Sequence, residues 1–242
     1  LSLLVPPRYR GKELIDRPGL PRAEIAEALR DIQWVNRRLG GWSAVRRYLP
    51  RLLGAVPPGR PLRVLDLGTG SADLPRRIAA YCAEAGRPAL VVGVDFSPEV
   101  LEFARRECAA EGAVRLVQAD VLRLPFRPAS FDLVLCSLLL HHFAPDAAVR
   151  LLRVMASVSR GAVLVNDLER HRAAFLGIWL LSRLQRRGRL FRHDAPISVL
   201  RAYRVEELRM LLADAGLAHL QVERVPPFRL CIHGAAAHGG RA

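Results

Sequence analysis

Lysine is nearly missing from this chain: Lys12 stands alone in 242 residues, and arginine carries almost all of the positive charge. The net charge of +14 would by itself raise nucleic acid or an anionic membrane as a partner, because phosphates reward a basic surface. The arginines are scattered over almost every segment, however, so solvated side chains account for them and no obligatory nucleic-acid partner is expected. Cysteine is scarce too. Cys82, Cys108, Cys136 and Cys231 lie far apart, with no C-x-x-C pair and no histidine–cysteine spacing of the kind that holds zinc. Reduced thiols in a cytoplasmic protein are the simple reading, and no metal is assigned. Long apolar runs are also lacking. Leu1 to Val5 is too short for a signal-peptide core, and Ala173 to Leu181 falls well short of the ~20 residues that span a bilayer.

What remains is ordinary globular material, 51% hydrophobic and 25% charged, long enough for one domain with a modest addition. Residues 21 to 53 carry two amphipathic helices broken at Gly40-Gly41, and Val56-Pro57-Pro58-Gly59 ends this segment. Short apolar runs separated by helical stretches follow: Leu62 to Leu67, Ala89 to Val94, Val114 to Ala119, Phe131 to Ser137 and Gly161 to Val165. Strands of that kind are buried on both faces and form a parallel sheet. A helix is expected over residues 169 to 190 and another over Val205 to Ala215, ending at Gly216. Leu220 to Val225 and Phe228 to His233 then leave room only for a hairpin. The expected fold is therefore α/β: a doubly wound, Rossmann-like, seven-stranded sheet, mostly parallel with a C-terminal antiparallel hairpin, plus an N-terminal helical cap. The boundaries are a cap at 1–58, the α/β domain at 59–234 with a lid insertion at about 169–204, and a flexible tail at 235–242.

The chemistry gathers at the strand ends. Asp66-Leu67-Gly68-Thr69-Gly70 places a glycine turn between the first strand and a helix starting near Ala72, where the backbone must bend tightly and approach a ligand. A dinucleotide site wants a third glycine beside the pyrophosphate. Asp73 stands there instead, and its carboxylate suits a ligand bearing an ammonium and a sulfonium. Asp95-Phe96 ends the second strand, near the ~20-residue interval at which an acid meets ribose hydroxyls. Asp120-Val121 follows the third strand, where a carboxylate and an amide can read an adenine edge.

In these residues the sequence resembles the class I S-adenosylmethionine (SAM)-dependent methyltransferases, over residues 60 to 234. The resemblance implies that Asp66, Gly68 and Gly70 hold the methionine part of SAM; Thr69, Asp73 and Ser137 are the further cofactor contacts expected. It likewise implies that Asp95 holds the ribose, that Asp120-Val121 holds the adenine, and that S-adenosylhomocysteine is the spent cofactor; Phe96 and Val121 are expected on the adenine faces. The amino-methylating tetrad N/D-P-P-Y/F is missing after the fourth strand. His141-His142 stands there instead, and Asn166-Asp167 ends the fifth strand. In similar natural-product O-methyltransferases such a first histidine pairs with an aspartate of the fifth strand, which implies His141 as base and Asp167 as its orienting partner. His142 is the second candidate. Alignment of acceptor and methyl supplies most of the acceleration, on the order of 7–11 kcal/mol, and a base adds ~10²–10⁴-fold.

The segment 171–192 joins an apolar run, Ala173 to Leu181, to Arg183, Arg186, Arg187, Arg189 and Arg192. It reads as a roof over a hydrophobic acceptor, as a peripheral membrane contact, or as a core-packed helix. Short stretches at 36–41, 166–170 and 198–203 resemble bacterial methyltransferases encoded beside type III polyketide synthases. The expected activity is methyl transfer to a hydroxyl of a small phenolic, polyketide-like or quinone-like acceptor. The alternatives are C-methylation of a quinone precursor, an RNA-binding methyltransferase, and a SAM-binding protein without turnover.

Overall fold

Alternation along apolar strands builds the centre of the molecule. In β1 (Leu62–Leu67), Leu65 and Leu67 face one layer while Leu62 and Val64 face the other. The same two-residue period sorts Val134 and Cys136 from Leu133 and Leu135 in β4 (Phe131–Ser137). Both faces are therefore covered, which is why these strands read as unbroken apolar runs. The computed structural model describes residues 6–236 except 55, 58, 110–111 and 185–186.

Beside β1 lie β2 (Ala89–Asp95) and then β3 (Val114–Gln118), and on its other side β4, β5 (Ser159–Leu168), β7 (Arg229–Ala235) and β6 (Gln221–Val225). The first five strands are parallel, β7 runs antiparallel to β5, and β6 closes the hairpin. One face is covered by α2 (Gly41–Gly54), α3 (Asp73–Glu84) and α4 (Pro98–Glu107), the other by α5 (Pro145–Val158) and α8 (Val205–Ala215). Helix α8 stops at Gly216, whose φ of 75° needs no side chain. Helix α1 (Arg22–Arg38) lies over the carboxyl ends of the strands with α6 (Arg172–Leu184) and α7 (Arg189–Arg201).

Three expectations change. Strand β5 extends from Ser159 to Leu168 rather than Gly161 to Val165, because its ladder with β7 continues through polar Asn166 and Asp167 to Leu168. The single helix expected over 169–190 is two helices, and Ser198 belongs to the second. Strand β7 continues through Ala235, and Ala236 is buried, so order passes the expected start of the tail. Residues 237–242, Leu1 to Val5 and Arg186 lie outside the described residues.

At the amino ends of the strands, the buried Asp132 carboxylate accepts hydrogen bonds from Arg60 (2.8 and 2.6 Å), Arg160 (2.8 and 3.1 Å) and the Arg63 backbone N–H (2.9 Å). Burial would raise its pKa, but the two arginines hold it well below the usual carboxylate range. Among the described residues no helix is long and apolar enough to cross a membrane.

Candidate active site

The order of strands reverses between β1 and β4, and a cavity of about 1240 Å³ opens over their carboxyl ends. Its floor begins with the glycine turn. Gly68 and Gly70 have φ of 65° and 54°, a left-handed bend that glycine alone takes without strain. Leu139 packs so closely that a Cβ on Gly68 would lie 2.6 Å from its Cδ1. Beneath the turn, buried Asp66 accepts a hydrogen bond from Thr69 Oγ1 at 2.8 Å. Burial pushes the Asp66 carboxyl up to about 8.

Asp95 ties the next strand tip to this turn. Its Oδ2 accepts from the Gly70 N–H at 3.1 Å and its Oδ1 from the Ser97 N–H at 3.2 Å. Burial raises its pKa, and those backbone donors offset the rise only in part. Phe96 is 70% exposed, whereas Val121 is buried. Exposed Asp120 accepts from the Leu122 N–H at 2.9 Å. These side chains line the same cavity as the histidines.

After β4 the chain makes a single 3-10 turn, Leu140–His142, which presents both imidazoles to the cavity. His141 is only 2% exposed. Asp167 grips it twice: Oδ2 accepts from the His141 backbone N–H at 3.0 Å, and Oδ1 lies 2.6 Å from Nδ1. Burial alone would lower the His141 pKa, but the Asp167 charge and hydrogen bond, reinforced by Glu13, carry it up to about 10. His142 is half-buried, with Nδ1 3.2 Å from Asp16 Oδ2.

Glu13 and Asp16 arrive on a strap, residues 6–20, about which the sequence analysis is silent. The strap is fastened from both ends. Tyr9 N–H donates to Leu200 O at 3.0 Å, and the Leu14 and Ile15 N–H groups donate to the Asp194 carboxylate at 2.7 and 2.9 Å. Arg8 donates to the carbonyls of His141 and Phe143, and Arg201 to those of Gly11 and His142. This places buried Glu13 with Oε1 3.5 Å from His141 Nε2 and Oε2 3.9 Å from His142 Nε2. One signal was present: Glu13 and Asp16 are the only acids among the first 20 residues.

Of the residues expected to meet the cofactor, Gly68, Gly70, Asp95, Phe96, Asp120 and Val121 line the cavity, as do both histidines. The others stand behind its wall. Asp66 and Thr69 brace each other, and Ser137 accepts from Asn166 Nδ2 at 2.8 Å. Asp73 is buried, and both its oxygens accept from the Asn36 amide at 3.2 and 3.3 Å. Its carboxylate thus fastens α1 to α3 instead of facing the cavity. Asp167 also lies outside the wall and holds His141 by its Nδ1.

A family model described as a methyltransferase domain matches residues 64–161. The chain is 38% identical over 130 residues to a demethylmenaquinone methyltransferase of Thermus thermophilus, covering 52% of this chain and 57% of that protein. It is 28% identical over 138 residues to a 2-phytyl-1,4-naphtoquinone methyltransferase of Thermosynechococcus vestitus, covering 54% and 60%. The chain thus spans little more than half the length of these relatives. Human N-acetylserotonin methyltransferase in complex with SAM shares the fold, with a TM-score of 0.62, 19% identity, and coverage of 89% of this chain and 56% of that one. The sheet order, glycine turn and matched domain define a class I SAM-dependent methyltransferase fold. Residues 64–161 are the segment that matches the methyltransferase-domain model, and the human enzyme that shares the fold holds SAM. The residues present fit it: the turn leaves its backbone open above Gly70, where an added Cβ would meet only Leu29, at 3.7 Å. A carboxylate stands at each of the next two strand tips.

Proposed function

We propose that the chain transfers the methyl group of SAM to a hydroxylated aromatic acceptor, phenolic or quinol-like. One observation carries this reading: a single cavity is lined both by the cofactor-end residues Gly68, Gly70, Asp95, Asp120 and Val121 and by His141, which Asp167 holds from behind, and most of its remaining wall is apolar. Ile178 and Leu181 of α6 and Phe191 and Val199 of α7 supply that wall. The naphthoquinone and menaquinone names of the two relatives support a bicyclic, hydrophobic acceptor.

Asp95 would bind the ribose hydroxyls, Asp120 and Val121 the adenine edge and face, and Gly68 to Gly70 the methionine chain. Bound SAM supplies a methyl on an activated sulfonium leaving group. The chain supplies placement and a way to remove the acceptor's proton. Asp167 fixes the His141 ring by Nδ1, and Nε2 faces Glu13, so the His141–Glu13 pair is what would take the acceptor's proton. A phenol, with a pKa of about 10, asks only modest help, and removing its proton serves attack through oxygen or through the ring carbon alike. Oxygen is our preferred acceptor atom, with ring carbon the alternative.

The outer face of α6 extends the reading to a membrane. Leu176, Leu180 and Leu184 are exposed, Trp179 is partly so, and Arg172 and Arg183 flank them. A short helix of this composition suits an anionic bilayer surface from which a lipid-like acceptor is collected.

Mass spectrometry of SAM incubations with a panel of phenols and quinols tests the assignment. A methylated product should form, and His141→Ala should cut turnover ~10²–10⁴-fold while SAM still raises the melting temperature. Undiminished turnover in that variant would remove His141 from the chemistry.

A further inference from the structure

A general base needs one carboxylate behind it and an open lone pair in front. The His141–His142 pair has more. Each ring is held from behind at Nδ1, His141 by Asp167 and His142 by Asp16. In front, both Nε2 atoms face one buried carboxylate, Glu13, at 3.5 and 3.9 Å. Glu13 Oε1 and His141 Nε2 are buried and make no hydrogen bond. At 3.5 Å the two form a long ion pair, and a cation seated between them would satisfy both atoms at bonding distance.

We propose that Glu13, His141 and His142 form a binding site for a divalent transition-metal cation, with Asp16 and Asp167 as the carboxylates that orient the two imidazoles. One ligand atom from each of the three residues lies within 4.8 Å of the others. A tetrahedral zinc ion with bonds near 2.0–2.1 Å sets its ligand atoms roughly 3.4 Å apart. The two imidazole-to-carboxylate distances, 3.5 Å to Oε1 and 3.9 Å to Oε2, lie near that value, and all three ligand atoms fall within 4.8 Å of one another, so binding draws the three side chains together. Two histidines and one glutamate, each ring donating its other N–H to a carboxylate, is the ligand and outer-shell pattern of catalytic zinc sites that keep a fourth position open. Here all three ligands line the cavity, so the fourth position faces the acceptor. Arg201, whose Nε lies 3.6 Å from Glu13 Oε1, is the competing cation. Its guanidinium is already engaged by the carbonyls of Gly11, His141 and His142, which fasten the strap.

Metal binding itself stands apart from the methyl-transfer reading, and only the ion's role rests on it. With an ion on Nε2, His141 would hold the metal instead of serving as the base, and the ion would lower the pKa of an acceptor hydroxyl at the open position.

The test uses the whole chain stripped with a chelator, without SAM or acceptor. ZnCl₂ titrated by calorimetry should bind one per chain, and CoCl₂ should give the intense visible bands of a four-coordinate site. Glu13→Gln and His142→Gln should each weaken binding by about 100-fold or more, and Asp16→Asn by about 10–100-fold. His142 is half-buried, so its variant should keep the SAM-induced rise in melting temperature, which verifies that it is folded. No uptake by the unsubstituted chain would overturn the site, and so would equal affinity in the Glu13 and His142 variants. Either failure leaves the SAM response untouched, whereas loss of the SAM response alone would strike the methyl-transfer reading and spare the metal.

Discussion

Gly68→Ala isolates the cost of the glycine turn. Alanine at a φ of 65° bears a left-handed backbone penalty of about 1–2 kcal/mol. The new methyl would also sit 2.6 Å from Leu139 Cδ1. Because that atom ends a flexible side chain, overpacking should fall at the low end of the usual range, about 1 kcal/mol. The sum, roughly 2–3 kcal/mol, corresponds to a fall of about 5–10 °C in the melting temperature of a chain this size. Urea unfolding of Gly68→Ala, Leu139→Ala and the double variant separates the two parts. In the Leu139→Ala background the glycine substitution should cost only the backbone part, leaving a coupling of about 1 kcal/mol. A displaced Leu139 also intrudes on the cavity wall, so Gly68→Ala should blunt the SAM-induced stabilisation. A single variant as stable as the parent would refute the conformation of the turn. A coupling of zero would refute the contact with Leu139.

Asp95→Ala should abolish the stabilisation by SAM, about 2.7 kcal/mol at 100 times its dissociation constant, and a melting shift equal to the parent's would refute its contact with the cofactor. Asp66, raised to about 8, and Asp95, also raised, favour the protonated form in the folded chain. Their contribution to stability is whole below the ordinary carboxylate pKa and declines as pH climbs through the folded values. A cationic cofactor favours the ionised form, so SAM should bind more tightly with rising pH and release protons, seen as a binding enthalpy that depends on the buffer. Asp132 has the opposite sign: held low by Arg60 and Arg160, it stabilises above about pH 4 and loses its contribution on further acidification. Asp132→Asn should cost roughly 1–3 kcal/mol at neutral pH by urea unfolding and nothing in strong acid. Leu180→Glu should reduce co-sedimentation with anionic vesicles without changing the melting temperature, and equal sedimentation would remove α6 from the membrane contact.

Most strands were legible because burial on both faces writes them as apolar runs with sharp ends, as in β1 and β4. The same signal hid the end of β5, where Asn166 and Asp167 stay in the ladder although they are polar. The glycine turn and the acids at two strand tips could be read from spacing, since glycine and carboxylate are each demanded by one position. Asp73 could not: its place in the motif suggested a ligand, but only the packed structure shows Asn36 of another helix taking its charge. Glu13 was farther from reach, being distant in sequence from the histidines it faces and carried by a segment with no periodic pattern.

The cavity-lining side of α6 carries three small residues, Ala173, Ala174 and Gly177, beside Ile178 and Leu181, and a Cβ on Gly177 would meet nothing within 4 Å. Bulkier side chains at these positions would trim the chamber one carbon at a time without disturbing any packed neighbour at Gly177. On the proposed reading, the roof would set acceptor girth independently of the strand tips.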